Sequence, residues 1–442
     1  MPLITFKGGI HPPYNKEKTS ESKIKALTPK KPVYIPLQQH IGAVCEPLVK
    51  KGEYVKMYQK IGDSGAFVSS PVHSSVSGTV TDIKKYLHPN GNMITTVIIE
   101  SDGQYIKDES LKPQKSLDEL TPEEIITLVH EAGIVGMGGA GFPAHIKMNV
   151  PKDKKAEYVI INGAECEPYL SSDHRSMVTY PDKIIFGIKA IMKASGAENA
   201  VIAIEDNKRD AEQILTEKIA SEPNINLSVM QTKYPQGSEK HIIKAILDRE
   251  VPSGGLPIDV GVIVNNIDTC IAVSNAITDG EPVVKRRVTV SGDGVSWPGV
   301  FEVPIGMLVS ELLDEAGGLN GNVRKLIMGG PMMGTALFET DVPIIKTTSG
   351  ILALSRDEVR KYDEGPCLRC GKCVEVCPMN LMPLELAKAG RTGDVEKAVE
   401  FSANDCIECG SCSFICPSGR LLVESIRLAK SAAILHNKGK KG

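Results

Sequence analysis

The sequence predicts a multidomain chain of mixed α/β and α+β character, on three observations. Its 442 residues, 41% of them hydrophobic, exceed what one core needs, and the length suggests roughly three domains. Eight of the 11 cysteines fall in two runs of one internal spacing between Cys367 and Cys416, which marks a separate metal-type module near the end. Ahead of it the period of the apolar residues changes, from short alternating runs with glycine turns to helical spacing interrupted by glycine-rich loops.

Charge and hydropathy narrow the class. The net charge is −3 with charges of both signs interspersed, so no basic face argues for nucleic acid. The opening MPLITFKGGIHPPYN has no apolar core of signal-peptide length, and no apolar run approaches a bilayer span. These features predict a soluble chain, or one held at a membrane through something else. The basic ending from Lys438 to Lys441 reads as a solvated tail, with a membrane-surface or inter-chain contact as the alternative.

Residues 1–118 contain Val33-YIPLQQHIGAVCEPLVKKGEYVKMYQKIG and Ser69-SPVHSSVSGTVTDI, short alternating strands with glycine turns. This stretch resembles a biotinyl or lipoyl type barrel-sandwich hybrid. A carrier domain presents a lysine at its hairpin tip, and the corresponding DSGAFVSSPVHS has none, so a structural or docking barrel is expected. His40 and His73 read as packed or surface histidines, and Cys45 as a buried hydrophobe.

Residues 119–284 begin with a helix: Thr121 is a cap, Pro122 opens the first turn, acids follow, then Ile125, Ile126, Leu128 and Val129. The next segment, Gly136-MGGAGFPAHIK, satisfies G-x-G-x-x-G. A dinucleotide fingerprint must follow a strand, and this one follows a helix, so that reading fails on context. The residues alone leave two possibilities, an ordinary glycine turn or backbone N–H groups brought close to a phosphate or a flat ring.

Taken in order, GMGGAGFPAHIK, Asn162-GAECEP, Tyr234-PQGSEK and Val264-NNIDT resemble the successive flavin-loop motifs of the NADH-binding flavoprotein subunit of respiratory complex I, over about Glu119 to Ala276. The resemblance implies an FMN/NADH domain on a fold unrelated to the Rossmann topology. It implies Gly136, Gly138, Gly139 and Gly141 against the flavin, Lys147 on phosphate, and Phe142 stacked near nicotinamide or adenine. Asn162, Glu165 and Glu167 would line the isoalloxazine and the incoming NADH. Tyr234, Gly237 and Glu239 would form the next loop, and Asn265, Asn266 and Thr269 would meet the ribityl phosphate region. Met137, Met148, Ala164 and Ser238 depart from the family pattern, and Arg249-EVPSGGLP lacks a flanking aromatic. Cys166 and Cys270 read as packing residues.

Residues 285–345 read strand, strand, helix, strand through Arg287-VTVSGDGVSWPGVFEVPIG, Met307-LVSELLDEAGG and Lys325-LIMGGPMMG. This resembles the small β-grasp, soluble-ligand-binding module that sits between flavin and cluster domains. Met332 and Met333 are expected to pack against a neighbour.

Residues 346–442 hold Cys367-LRCGKCVEVCP and Cys406-IECGSCSFICP, both C-x-x-C-x-x-C-x-x-x-C-P. In such runs three thiolates bind one 4Fe–4S cluster and the fourth crosses to the other. One set is then Cys367, Cys370, Cys373 and Cys416, and the other Cys406, Cys409, Cys412 and Cys377. Structural zinc would need only two pairs, and disulfides would accompany a secretion signal. The 28 residues between Cys377 and Cys406 read as two short helices, and a last helix is expected after Pro417 with Ser418 as its cap. The module is a helical two-cluster ferredoxin.

Barrel, flavin domain, β-grasp and paired clusters in this order, with the opening FKGGIHPPYNK, resemble the RnfC family of Rnf electron-transport complexes. That resemblance implies a ferredoxin:NAD oxidoreductase subunit of ion-coupled, translocase type, passing electrons between NAD(H), non-covalent FMN and two clusters. Hydride transfer at FMN would need no catalytic side chain. It also implies a peripheral place on the cytoplasmic face of the cell membrane beside other Rnf subunits, especially the iron-sulfur subunit that meets ferredoxin. The alternatives are a microcompartment cobalamin reductase and a non-enzymatic iron-sulfur relay.

Overall fold

The structure, a computed structural model, describes residues 3–110, 112–113, 116–359 and 363–439. The side chains of the basic ending from Lys438 onward lie outside the described set.

The first unit is built from short strands: β1 (Ile24–Ala26), β2 (Val33–Pro36), β3 (Glu46–Pro47), β4 (Tyr54–Val55), β5 (Lys60–Asp63), β6 (Val72–His73), β7 (Gly78–Leu87) and β8 (Met93–Ser101). Two antiparallel sheets, ordered β2-β8-β7-β4 and β3-β5-β6, share one core, to which the first gives Val33 and Ile35 and the second Ile61 and Val72. Val33 and Ile35, then Val97 and Ile99, are spaced by two and fully buried, as a strand with one face in a core requires. Strand β1 does not join this barrel; it pairs in parallel with a strand of the third unit, Ile24 opposite Val300.

The second unit opens with α1 (Pro122–Glu131), capped by Thr121 as the sequence predicts, with Glu124 completing a capping box. After α2 (Ala144–Met148) come β9 (Tyr158–Gly163), α3 (Ser172–Thr179), α4 (Pro181–Ser195), β10 (Asn199–Glu205), α5 (Arg209–Ile219), β11 (Ile225–Met230), α6 (Glu239–Leu247), β12 (Val262–Asn266) and α7 (Ile267–Thr278). The strands β10, β9 and β12 read as near-continuous apolar runs and are parallel, the pattern of a sheet covered on both faces. Their order is β11-β10-β9-β12. In chain sequence this is 3-2-1-4, the order of a doubly wound half. The expectation of a fold unrelated to the Rossmann topology is therefore corrected at the level of strand order. What differs is the glycine loop, which lies before the first strand and not between that strand and its helix.

The third unit is a mixed sheet of β13 (Lys285–Ser291), β14 (Gly299–Pro304), β15 (Val323–Met328), β16 (Thr335–Leu337) and β17 (Gly350–Ser355), with α8 (Val309–Glu315) against it. Its order, β1-β14-β13-β17-β15-β16, draws in one strand from the start of the chain and one past residue 345.

The last unit is helical: α9 (Lys372–Glu375), α10 (Pro383–Thr392), α11 (Val395–Glu400), α12 (Ser411–Ile415) and α13 (Leu422–Gly439). Leu386, Ala389, Ala398, Leu422, Ile426 and Ala429 form its core. Ser418 does not cap α13, which starts four residues later. Gly419 turns the chain at φ 58 and the Ser418 carbonyl accepts from Gly365 N–H at 2.9 Å, so this stretch returns the chain from the ligand loop before the helix can begin. Among the described residues no helix is long and apolar enough to cross a membrane.

Candidate cofactor cradle and cluster ligands

A parallel sheet offers a ligand crevice where its strand order reverses, beyond the carboxyl ends of the strands. Here that point lies between β9 and β12, which place Asn162 and Asn266 as direct register partners. The sequence motifs meet there. A Cβ on Gly138 would come 2.9 Å from Asn266 Nδ2, so the exposed tip of the glycine loop rests on the end of β12. Asn162 Nδ2 donates to the Gly237 carbonyl at 2.7 Å, and Asn162 Oδ1 accepts from Ala164 N–H. The loop's other anchor is Met137, whose N–H donates to Thr269 Oγ1 at 3.2 Å. Gly136 N–H closes the loop onto the Phe142 carbonyl. Asn265 is 5% exposed and its Nδ2 has no partner. A buried donor left unpaired is costly, and a flavin's carbonyls and ring nitrogens are acceptors, so the residues fit FMN at this crevice.

Other expected site residues are occupied within the protein. Lys147 Nζ donates to Glu239 Oε1 at 2.9 Å and to the Val264 carbonyl at 3.1 Å, so its charge meets a carboxylate where the resemblance implied phosphate. The Glu165 carboxylate accepts from Asp173 N–H and His174 N–H at 2.8 and 3.1 Å, neutralising the amino end of α3. Glu167 accepts from Met332 N–H and Met333 N–H at 3.0 and 2.9 Å. A Cβ on Gly330 would lie 2.2 Å from Glu167, so the GGPMMG turn reaches this carboxylate only because glycine stands there. Burial raises the Glu167 carboxyl to about 7. Tyr234 turns away from the cradle, as described below.

Sequence reasoning missed a layer of buried charge beneath the loop. Arg286 Nη1 pairs with Asp268 at 2.7 Å, its Nη2 donates to the Met137 carbonyl at 3.2 Å and its Nε to the Thr348 carbonyl at 3.1 Å. Arg287 meets the other oxygen of Asp268. Asp173, bonded to Asn266 Nδ2, has its carboxyl pushed up to about 8 by burial and by Glu165 and Asp268. Lys346, fully buried, donates to the Pro71 and Gly133 carbonyls at 2.6 Å each, and burial lowers its ammonium to about 7. It ties barrel, flavin domain and the strand-to-strand connection before β17 together. Asp268 lay inside a quoted motif, but arginines at a strand's start carry no sequence signal of burial.

The eight thiols fall in two neighbourhoods. Burial raises the Cys373 thiol, and the neighbouring thiols are those of Cys367, Cys370 and Cys416. Burial likewise raises Cys412, whose neighbours are Cys409, Cys406 and Cys377. The second set lines one small apolar cavity with Leu381, Leu386, Val423 and Ile426. That apolar chamber with four thiols fits a cluster, whose charge is spread and whose ligands are thiolates. Among the described residues no three His, Cys, Asp or Glu side chains converge on one ion, and cubane ligands need not, since each thiolate binds a different iron. Cys367 and Cys370 are exposed, whereas Cys409 and Cys412 are buried. The two sets are called outer and inner below.

The inner set touches the flavin domain. Tyr234, 1% exposed, donates its hydroxyl to the Cys409 carbonyl at 2.7 Å. His241 Nε2 lies 2.9 Å from the Pro378 carbonyl. The opening segment threads between: Gly9 N–H donates to the Val376 carbonyl and Ile10 exchanges backbone bonds with Tyr234. Gly9 sits at φ 78 with a Cβ position 2.6 Å from the Tyr234 carbonyl, so only glycine passes. Met332 packs in the same apolar cluster as Tyr234, Cys166 and Cys409, the neighbour expected for it. A separate surface depression lies at the opposite ends of the strands, where Arg249 pairs with Glu157 and Lys154 with Asp259.

Comparison with known proteins agrees with this construction. Family models match residues 4–104 (RnfC barrel sandwich hybrid domain), 129–275 (Nuo51 FMN-binding domain), 287–336 (SLBB domain) and 366–420 (4Fe-4S dicluster domain). The chain is 46% identical over 430 residues to the RnfC-type component of the Na(+)-translocating ferredoxin:NAD(+) oxidoreductase complex of Acetobacterium woodii, covering 97% of each chain. It is 44% identical to the proton-translocating counterpart of Clostridium ljungdahlii, covering 97% of this chain and 94% of that one. Against the corresponding component of the ion-translocating oxidoreductase complex of Rhodobacter capsulatus, identity is 42%, covering 97% and 83%. In fold it is similar to an NAD+-reducing NiFe hydrogenase, with TM-score 0.51 and 18% identity over 72% of this chain and 64% of that one. The chain belongs to the RnfC family, a component of Rnf ion-translocating ferredoxin:NAD oxidoreductase complexes.

Proposed function

We propose that this chain is the peripheral NADH-oxidising, or NAD-reducing, subunit of a membrane-bound ion-translocating ferredoxin:NAD oxidoreductase, placed on the cytoplasmic face beside the other subunits of the complex. The observation that carries the reading is continuity: the loop that closes the crevice with Gly237 also sends Tyr234 to the inner ligand set. FMN, when bound, supplies the conversion between a two-electron hydride and the single electrons that clusters take. The chain's residues hold, orient and shield. Asn162, Asn265 and Asn266 present amides at the crevice, and the glycine loop, pinned by Thr269 and Arg286, offers its backbone. Glu167 stands at the seam between the crevice and the GGPMMG turn. The inner ligand set touches the flavin domain, whereas Cys367 and Cys370 of the outer set are exposed, an arrangement in which electrons can be handed toward a partner. Nothing in this role needs a side chain to act as acid or base.

Anaerobic reconstitution followed by NADH titration tests the reading, with flavin and iron-sulfur absorbance followed separately. Both bands should bleach in the full chain. Glu167→Gln should slow NADH oxidation by about tenfold or more, the scale of one lost charged hydrogen bond, while the cluster absorbance of the oxidised protein stays. A chain that takes up iron but neither binds FMN nor bleaches with NADH would be a relay and would sink the proposal.

A further inference from the structure

The inner and outer ligand loops receive different hydrogen bonds, and the difference crosses a domain boundary. Around the inner set, Tyr234 hydroxyl donates to the Cys409 carbonyl at 2.7 Å, and Gly9 N–H to the Val376 carbonyl at 2.9 Å, one residue before Cys377. His241 Nε2 is 2.9 Å from the carbonyl of Pro378, one residue after it. A carbonyl can only accept, so this nitrogen carries the proton, and Nδ1 is left to accept from Ser238 Oγ at 2.9 Å. Within the cluster module Lys430 adds a cation on the Cys406 carbonyl at 2.8 Å. The outer loop has Arg369 N–H on Cys367 Sγ at 3.3 Å and Arg420 on the Gly365 carbonyl, both from its own module.

Resting on the electron-transfer reading above, we propose that Tyr234 and His241 raise the reduction potential of the inner cluster relative to the outer one, acting from the flavin domain through the carbonyls of its ligand loops. Reduction adds negative charge to a cluster, and potentials follow hydrogen bonding, net charge and solvent exposure around it. Each donor draws electron density from a peptide next to a ligand and so favours the reduced form. Tyr234 is 1% and His241 6% exposed, and dipoles act more strongly where water is absent. Apolar Ile10, Met332, Val376 and Ile407 pack along the same seam. Neither residue ligates iron; both are positioning residues that work through Cys409 and Pro378. Docking of the flavin domain thereby sets the potential step between the two clusters, and a module cut free of it loses that step.

The test uses the full chain, anaerobically reconstituted, with iron and acid-labile sulfide measured and the clusters titrated potentiometrically by EPR without NADH. Cys370→Ala identifies the outer signal by its loss. Tyr234→Phe should lower the reduced-to-oxidised ratio of the inner cluster at fixed potential by about tenfold, the scale of one buried hydrogen bond, with iron content and the outer cluster unchanged. His241→Phe keeps a ring against Phe6, now 4.8 Å away, and should move the same signal in the same direction. Fully loaded variants in which neither potential moves, or in which both clusters shift together, would overturn the inference while leaving the electron-transfer reading intact. A wild-type chain that takes up no iron would overturn both.

Discussion

The two cysteine runs are near copies in backbone and opposites in surroundings. Arg369 and Glu408, at equivalent places, sit at φ 53 and 56, and Gly371 and Gly410 beside them at φ 79 and 77. Each run then enters a single-turn helix, α9 or α12. Yet Cys367 and Cys370 are exposed while Cys409 and Cys412 are buried. The spacing thus dictates how a loop wraps sulfur, and residues far away in sequence dictate what lies outside the loop. Tyr234 and Met332 cover the second run at Cys409, and Gly9 and His241 cover the far end of the first run, at Val376 and Pro378 beside the crossing Cys377; the start of the first run, at Cys367 and Cys370, is left to solvent.

The strongest way to break this comparison is to remove one ligand from each set. Cys412→Ala should lose roughly four irons per chain and also lower the thermal stability of the full chain, because the inner chamber underlies the flavin-domain contact. Cys370→Ala should lose the same quantity of iron with little effect on the rest. Metal analysis beside thermal unfolding checks both; equal unfolding temperatures for the two variants would mean the inner set is not a structural hub. Next in size is Gly390→Ala. Its Cβ would fall 1.9 Å from the Ser425 carbonyl, wedging α10 from α13. The crossing ligand Cys377 lies just before α10 and Cys416 just before α13, so both clusters should suffer alike, at about 1–3 kcal/mol or more of stability. Loss confined to one cluster would show that the helices do not act as a common frame.

Much of this was legible beforehand because it is local. The cluster spacing, the Thr121 cap and the helices of PLELAKAG and DVEKAVEF depend on residues a few positions apart, and the structure has them. The motif order found the crevice for the same reason: each loop follows its own strand or helix. What could not be read was the partner of each side chain. Glu165 and Lys147 have the chemistry of ligand residues, but the amino end of α3 and Glu239 compete for them. Tyr234 belongs to a flavin-type motif and yet serves the cluster loop, because the Gly9 segment brings the two domains into contact. Ser418 has a cap's chemistry without a helix at its side. Strand order also escaped, since four parallel strands read alike along the chain and only tertiary pairing makes them 3-2-1-4.

The finest test of the comparison lies in its one reversal of charge. Glu408 pairs with Arg427 and Lys430 at 2.9 Å each, whereas Arg369 has no ion pair among the described residues. Burial pushes the Glu408 carboxyl up, but Lys430 and Arg427 outweigh it and hold it below its ordinary value. Its contribution is therefore present above the ordinary carboxylate range and fades as pH falls through the lowered value. At neutral pH it should be fully expressed. The partners are partly open to solvent, so a double-mutant cycle of Glu408→Gln and Lys430→Met should give a coupling of about 0.5–1 kcal/mol, read from denaturant unfolding of the reconstituted chain. The cycle removes the separate cost of the Cys406 carbonyl that Lys430 also serves. Raising salt to about 1 M, where screening acts over roughly 3 Å, should shrink the coupling, and Arg369→Gln should stay within about 0.5 kcal/mol of the parent. A coupling that salt leaves untouched would mean that the inner loop is sealed from water on this side as well, and that the asymmetry between the two runs is deeper than the exposure of their cysteines indicates.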